Sequence, residues 1–304
     1  MNSRWTHTLL VIIILSMLAF IPANSVRGGE RRAKRIVLIA GKPSHPAMMH
    51  EYNATCSVLK ACLDKVKGVE AVLYLNGWPS DPAALDAADA IFLYMDGGSR
   101  HQAIEADHLQ VLGSLMKKGV GLGCAHYAVE LPADKGGPEF KEWIGGYYET
   151  SYSCNPIWEP DFQTLPKHPI TRGVNPFKVK DEWYFNMRFL PEMKGITPIL
   201  VAKPSDAVRD GPYVAPRGPY PHIQAEKGRA EATMWAIERP GGGRGFGFTG
   251  GHFHVNWGND NFRKIVLNAL LWSAHAEVPK RGVESIVTKA ELIANLDDKP
   301  DRKR

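Results

Sequence analysis

Residues 240–275 read PGGGRGFGFTGGHFHVNWGNDNFRKIVLNALLWSAH and contain the pattern that decides the fold. A glycine-rich turn precedes a short aromatic strand, which ends on a glycine pair followed by His252 and His254. Apolar residues at helical spacing then predict a helix over 261–275. Polar side chains between a strand end and a helix lie where open α/β sheets bind ligands. The stretch therefore predicts the last strand–helix unit of such a sheet, with a candidate site at its edge.

Strands and helices alternate upstream of this stretch. Continuous apolar runs predict buried strands over 35–41, 69–75, 88–95 and 120–125, and helical spacing predicts helices over 51–66 and 105–118. This alternation is typical of a parallel sheet with right-handed crossovers, which brings the carboxyl ends of the strands to one edge. Three of these strands run into loops with chemically active side chains, namely His45 and His50, Asp96 and His101, and His126.

The periodicity weakens after residue 126. The patterns predict a short helix over 136–144, irregular strands over 147–155 and 162–174, a strand or two over 177–189, and strands over 197–202, 231–237 and 244–248. Residues 205–229 form an insert rich in Pro, Gly and Tyr, for which we predict a long ordered loop that covers or edges the site. Thr288 and Glu291 form a capping-box pattern that predicts a short helix in the tail over 276–304.

The first 25 residues have the layout of a secretory signal peptide. Arg4 supplies a cationic start, an apolar run extends from Leu9 to Ile21, and small residues precede Val26. We therefore expect an exported protein, periplasmic or extracellular, with a mature domain over 26–275 and no membrane span after cleavage. A retained N-terminal anchor is the alternative.

Composition indicates an ordinary globular protein. The chain is 44% hydrophobic and 23% charged, and its net charge of +5 is concentrated in 27–35 and 299–304. No basic stripe interleaved with aromatic residues lies between these runs, so nucleic acid is not an expected partner. Cys56 and Cys62 lie on one predicted helix, too far apart to bridge, and Cys124 with Cys154 is the only pair worth testing. The oligomeric state is left open.

Four motifs in this order resemble the ThuA-like (trehalose utilisation) family. They are GLGCAHYAV at 121–129, HPITRGV at 168–174, DEWYF at 181–185 and GRGFGFTGGHFHVNWGNDNFRKIVLNALLW at 243–272. The resemblance implies a class I glutamine amidotransferase-like fold, which is a flavodoxin-like, doubly wound, mostly parallel sheet. It also implies that the family's strand-end histidine is His126, its acidic-aromatic motif Asp181, Glu182 and Tyr184, and its glycine–histidine motif Gly251 and His252. Members are associated with the use of trehalose and other disaccharides, through keto-sugar intermediates in one interpretation.

The candidate residues suggest several kinds of chemistry. Histidines that converge at strand ends can bind a divalent metal. The candidate ligands are His45, His50, His126 and His252, with Asp96, Asp181 or Glu182 as oxygen ligands. A sugar site needs flat apolar faces and polar groups for hydroxyls. The candidates for it are Tyr127, Tyr184, His254, Asn256, Trp257, Asp96 and His101, with Trp183, Tyr213 and Tyr220 as further aromatic residues.

We therefore predict a protein that acts on a small carbohydrate or keto-sugar derivative by acid/base or metal-assisted chemistry. The predicted catalytic groups are His126, His252 and Glu182, with Asp181 orienting them. A non-catalytic sugar-binding or accessory module is one alternative. The other is a cysteine-dependent amidohydrolase with Cys124 as nucleophile, for which His126 stands where that elbow requires glycine.

Overall fold

A computed structural model describes residues 32–299 and contains a seven-stranded central sheet. The strands are β1 (Lys34–Ala40), β2 (Val69–Tyr74), β3 (Ala90–Tyr94), β4 (Gly121–Ala125), β11 (Ile196–Ala202), β12 (Glu231–Glu238) and β13 (Arg244–Phe248). Their order across the sheet is β11-β12-β13-β4-β3-β1-β2. Strand β12 is antiparallel to both of its neighbours, β11 and β13, and the other pairs of neighbouring strands in this sheet are parallel. The predicted doubly wound, mostly parallel α/β sheet is confirmed.

The remaining elements are short strands and seven helices. The two-residue strands are β5 (Gly146–Tyr147), β6 (Ile157–Trp158), β7 (Asp161–Phe162), β8 (Phe177–Lys178), β9 (Asp181–Glu182) and β10 (Arg188–Phe189). The helices are α1 (Tyr52–Leu63), α2 (His108–Lys117), α3 (Gly137–Trp143), α4 (Asp206–Arg209), α5 (Pro221–Gln224), α6 (Asp260–Ser273) and α7 (Lys289–Ile293).

Alternation of side chains along the strands divides the core into two layers. In β1, Ile36 and Leu38 face one side with helices α1 and α6, whereas Val37 and Ile39 face the other side with α2 and α3. Because both faces are covered, the central strands β1 and β3 are continuous apolar runs, as is typical of parallel sheets. Asn259 is the N-cap of helix α6, and its side chain accepts hydrogen bonds from the backbone amides of Asn261 and Phe262.

The topology creates a crevice at the carboxyl edge of the sheet. Strand β1 lies between β2 and β3, so the chain leaves β1 to one side and returns on the other. Ligands bind at such switch points in open α/β sheets. The loops that follow β1, β3, β4 and β13 all begin at this edge, because these strands are parallel.

Two segments differ from their predictions. Residues 177–189 form three two-residue strands instead of the predicted strand or two, because Asp181 turns its carboxylate to backbone amides of another loop and Asn186 adopts a left-handed conformation with φ of 57°. The insert over 205–229 includes two short helices, α4 and α5, as well as loop. Thr288 is the N-cap of helix α7 and forms the predicted capping box with Glu291.

All four cysteines are free and buried, so Cys124 and Cys154 do not form a disulfide. Among residues 32–299, no helix is both long and apolar enough to cross a membrane. The predicted signal peptide over 1–25 lies outside the described residues.

Candidate functional site

Three histidines and a glutamate converge at the carboxyl edge of the sheet. His50 follows β1, His126 follows β4, His252 follows β13, and Glu182 ends β9. One side-chain nitrogen or oxygen of each lies within 4.8 Å of the others, and all four residues are buried. We call these four residues the His3Glu cluster.

The contacts inside the cluster are short. His50 Nε2 lies 3.0 Å from His126 Nε2 and 2.9 Å from His252 Nδ1. Glu182 Oε2 lies 2.7 Å from His252 Nδ1 and 3.9 Å from His126 Nε2. The two histidines on the left-handed backbone, His50 (φ 49°) and His126 (φ 52°), depend on that conformation, which concentrates at functional sites.

Hydrogen bonds outside the cluster fix the proton on two of the rings. His126 Nδ1 lies 3.0 Å from the carbonyl oxygen of Thr249, which can only accept, so Nδ1 carries the proton and Nε2 carries a lone pair. Tyr52 donates its hydroxyl proton to Asp96 at 2.8 Å and therefore accepts from His50 Nδ1 at 2.7 Å. His50 Nε2 then also carries a lone pair, which faces the lone pair on His126 Nε2.

Burial keeps the two rings neutral. It lowers the pKa of His50 to about 3 and that of His126 well below 6.5, and the neighbouring histidines lower both further. Burial likewise raises the pKa of Glu182. Two facing lone pairs 3.0 Å apart repel each other unless each receives a proton donor or a cation lies between them. Tyr184 can donate its hydroxyl to His126 Nε2, and His252 can donate its Nδ1 proton to His50 Nε2. The same lone pairs could hold a cation.

Asp181 positions the cluster without belonging to it. Its two oxygens accept backbone N–H groups of Gly251, His252 and Phe253 at 2.9–3.3 Å, and also the side-chain amide of Asn256 at 3.0 Å. Gly251 adopts φ of +118°, which only glycine accommodates readily, and this turn directs His252 towards the cluster. Asn155 plays the same part for Glu182, because its Nδ2 donates to Glu182 Oε1 at 2.8 Å.

A cavity of about 310 Å³ opens onto the cluster. Its polar wall includes Tyr127, Glu130, Thr150 and Asn155, and residues 214–216 of the insert form another wall. The insert is held there by Asn155, whose carbonyl oxygen and Oδ1 accept from the amides of Val214 and Ala215 at 3.3 and 3.2 Å. The prediction that the insert edges the site agrees with this placement.

A family model described as trehalose utilisation, ThuA, matches residues 37–273. The chain belongs to the ThuA family. This match includes every strand end that supplies the His3Glu cluster. No curated protein matches the chain.

Solved structures are similar to this ThuA-family chain in fold. A putative ThuA-like protein from Bacteroides uniformis is 14% identical, with a TM-score of 0.53 over 83% of this chain and 95% of that one. One from Parabacteroides merdae is also 14% identical, with a TM-score of 0.53 over 84% and 96%. A glutamine amidotransferase from Thermotoga maritima is 11% identical, with a TM-score of 0.39 over 80% and 97%.

The ThuA motifs reach the site at the residues that the sequence singles out. Of the four predicted catalytic residues, His126, His252 and Glu182 meet in the cluster, and Asp181 lies behind it. Tyr184 places its hydroxyl 3.2 Å from His126 Nε2 and lines the cavity.

One predicted metal ligand is displaced from the cluster. The ring of His45 stacks on that of His50, with 3.7 Å between centroids, and its Nδ1 contacts Ser44 Oγ. His45 therefore lines the cavity beside the cluster, and the fourth position is that of Glu182, one of the predicted oxygen ligands.

Five predicted substrate-binding residues have structural contacts instead of a cavity face. His101 donates to the Ala128 carbonyl and accepts from the Ala103 amide, and His254 contacts Thr55 Oγ1 and the Leu292 carbonyl. Both rings are buried with both nitrogens occupied, so neither is free to bind a hydroxyl. The other three are Trp257, which is buried in the core, Asn256, which holds Asp181, and Asp96, which orients Tyr52. Trp183 is likewise a core residue.

The structure also assigns neighbours that the sequence does not reveal. Tyr52, Asn155, Glu130 and Thr150 belong to no recognisable motif, and each contacts the site through folding. Glu130 directly follows the motif at 121–129, and this adjacency is the only indication in the sequence that Glu130 lies at the site. Cys124 lies inside β4 with its thiol fully buried, and burial raises its pKa well above 9. It is therefore not placed as a nucleophile.

Proposed function

We propose that this ThuA-family protein is an exported, metal-dependent enzyme that acts on a keto derivative of a disaccharide. The His3Glu cluster would hold one divalent transition ion. This proposal rests on one observation: the lone pairs on His50 Nε2 and His126 Nε2 face each other beside the Glu182 carboxylate. Family membership supports the trehalose-utilisation type of substrate.

The donor set fits such an ion. Imidazole nitrogens and a carboxylate oxygen suit zinc and its neighbours better than magnesium or calcium, which prefer oxygen. Around a tetrahedral zinc, with bonds of about 2.0–2.1 Å, neighbouring donor atoms are roughly 3.3–3.4 Å apart. Four of the six separations between these donor atoms lie at 2.7–3.9 Å, which brackets that value, and all six lie within 4.8 Å. The carbonyl and tyrosine partners of His126 and His50 are the kind of support that metal-binding histidines have.

The ion would act as a Lewis acid on the carbonyl of the substrate and stabilise negative charge on its oxygen. His126, His252 and Glu182 are then ligands, and Asp181 and Asn155 keep them in place. Tyr127 and Thr150 would offer their hydroxyl groups to sugar hydroxyls, and residues 214–216 would form another wall of the substrate site.

The test is turnover of a keto derivative of trehalose before and after metal removal. Chelation should abolish turnover, and one equivalent of Zn²⁺, Mn²⁺ or Co²⁺ should restore it. His126→Ala and His252→Ala, made separately, should each reduce turnover at least 100-fold because each removes a ligand. His275→Asn is the matched control, since His275 is exposed at the far end of α6. Full activity after complete chelation would refute the proposal.

A non-catalytic sugar-binding module is the second candidate, favoured by the polar wall of the cavity. It predicts calorimetric affinity for the sugar and no product with any divalent ion. The amidohydrolase alternative has no support from Cys124, because its thiol is fully buried and does not line the cavity.

Export is part of the proposal and rests on the sequence of residues 1–25. Expression with the native N-terminus in a Gram-negative host should give a periplasmic product that begins near Val26. N-terminal sequencing and fractionation test this. A membrane-bound product that retains residues 1–25 would indicate the anchor instead.

A further inference from the structure

Glu130 is a carboxylate on the cavity wall that the cluster does not use. It follows the turn His126–Val129 at the end of β4, and its backbone is fixed by hydrogen bonds to Tyr127 and Gly98. Its Oε1 accepts from Thr150 Oγ1 at 2.8 Å. Within residues 32–299 no donor is in hydrogen-bonding contact with its Oε2, so this oxygen is free to contact a bound ligand.

The other carboxylates at this edge are already engaged. Asp181 accepts from three backbone amides of 251–253 and from Asn256. Glu182 contacts Asn155 through one oxygen and His252 through the other. Asp96 accepts from Ser44 and Tyr52 and pairs with Arg100. Among the described residues of this edge, Glu130 alone offers a free carboxylate oxygen to the cavity.

The surroundings of Glu130 suit proton transfer near neutral pH. Burial is the largest cause that raises its pKa to about 7, and the hydrogen bond from Thr150 lowers it. The negative charge of Glu182 also raises it, and a cation bound at Glu182 would offset that contribution. The other titratable groups that sense its charge are four tyrosines, Tyr127, Tyr148, Tyr184 and Tyr220. A general base works best when its pKa lies near the operating pH.

We propose that Glu130 is the catalytic base that moves a proton at the carbon next to the substrate carbonyl. This assignment rests on the proposed function, because it requires a keto-sugar in the cavity. The Glu130 carboxylate forms an O–H bond as the C–H bond of the substrate breaks. The C–H electron pair becomes a C=C bond, and the carbonyl π pair moves onto oxygen on the side of the His3Glu cluster. Return of the proton from Glu130 reverses the step, so no oxidant or reductant is needed.

Deuterium exchange isolates this step from the rest of the reaction. A keto derivative of trehalose is incubated in D₂O with the metal-loaded protein, and NMR follows loss of the C–H signals next to the carbonyl. Wild type should exchange these hydrogens. Glu130→Gln should exchange them at least 100-fold more slowly, because general base catalysis contributes about 10²–10⁴-fold. Its metal content and its calorimetric affinity for the sugar should stay within threefold of wild type.

Two further variants make the result specific. Glu105→Gln changes an exposed glutamate away from the cavity and should exchange like wild type. His45→Gln tests the nearest competing base, since His45 also lines the cavity. Exchange by Glu130→Gln within threefold of wild type would overturn the assignment and leave the proposed function intact. Absence of both exchange and product in the wild type would overturn the proposed function, and the assignment with it.

Discussion

At the residue scale, the role of each histidine follows from the partners of its two ring nitrogens. His101 and His254 use both nitrogens on partners within the fold, so they stabilise structure. His126 and His50 use one nitrogen on a fold partner and leave a lone pair facing the cluster. Sequence position alone does not distinguish these cases, because all four residues lie in loops at the same edge.

His101 makes the stability of the protein dependent on pH. Burial lowers its pKa from 6.5 to about 4. In the unfolded chain the His101 ring is protonated below about pH 6.5, whereas in the folded chain it is protonated only below about pH 4. The free energy of unfolding therefore decreases as the pH is lowered from 6.5 to 4. At about 1.4 kcal/mol per pH unit, the free energy of unfolding decreases by about 3 kcal/mol across this window.

His101→Gln should remove this contribution, because glutamine can keep both hydrogen bonds without titrating. We expect the variant to lose about 3 kcal/mol less stability than wild type between pH 6.5 and pH 4. Denaturant unfolding at the two pH values measures the difference. An identical pH dependence in the two proteins would contradict the role given to His101.

Asp181→Asn should loosen the turn that bears His252. The amide group can accept at one oxygen only, so backbone amides of 251–253 lose a partner in a buried site. We expect a loss of about 2–3 kcal/mol in the free energy of unfolding and at least tenfold weaker Zn²⁺ binding. Thermal unfolding and competition with a chelating dye test both expectations. Wild-type zinc affinity would show that Asp181 has no positioning role.

At the element scale, the C-terminal segment 292–299 supports the loop that carries His50. Lys299 donates to the carbonyls of Met49 and His50 and pairs with Glu51 at 3.2 Å, where both side chains are buried. The Asp297 amide donates to Glu51, and the Leu292 carbonyl accepts from His254. The segment thus lies behind two of the loops that form the site.

Lys299→Ala should therefore weaken metal binding from outside the cluster. The change leaves Glu51 as a buried charge without its partner and frees the loop at His50. We expect zinc affinity to fall about tenfold and stability by about 3 kcal/mol. Lys289→Ala, at an exposed position on α7, is the matched control and should change neither quantity. Unaltered zinc affinity in Lys299→Ala would refute this role.

The sequence predicts elements where the signal is local. Strands β1, β3 and β4 are continuous apolar runs between turn residues, and α6 has strict helical spacing. Prediction from the sequence fails where contacts with residues far away in the chain determine the local conformation. Residues 177–189 are broken by the Asp181 carboxylate, whose partners lie about 70 positions away, and the contact of Asp297 with Glu51 spans 246 positions. Glu182 was predicted as a catalytic group, but its place beside the histidines depends on Asn155, which no motif indicates.

At the scale of the whole molecule, the parallel sheet is what makes the site. Strands β1, β4 and β13 deliver His50, His126 and His252 to one edge because they run in the same direction. The irregular segment with Glu182 and the insert over 205–229 then cover that edge and form the cavity. The ThuA family match extends over all of these parts.

The central claim is that the His3Glu cluster holds one divalent metal ion, and metal analysis of the purified protein tests it most directly. Elemental analysis after loading with Zn²⁺ and gel filtration should give one zinc per wild-type chain. His50→Ala, His126→Ala and His252→Ala should each retain less than a tenth of that, and His45→Ala, outside the cluster, should retain one zinc per chain. Wild-type protein that retains no metal, or cluster variants that keep one zinc per chain, would contradict the account.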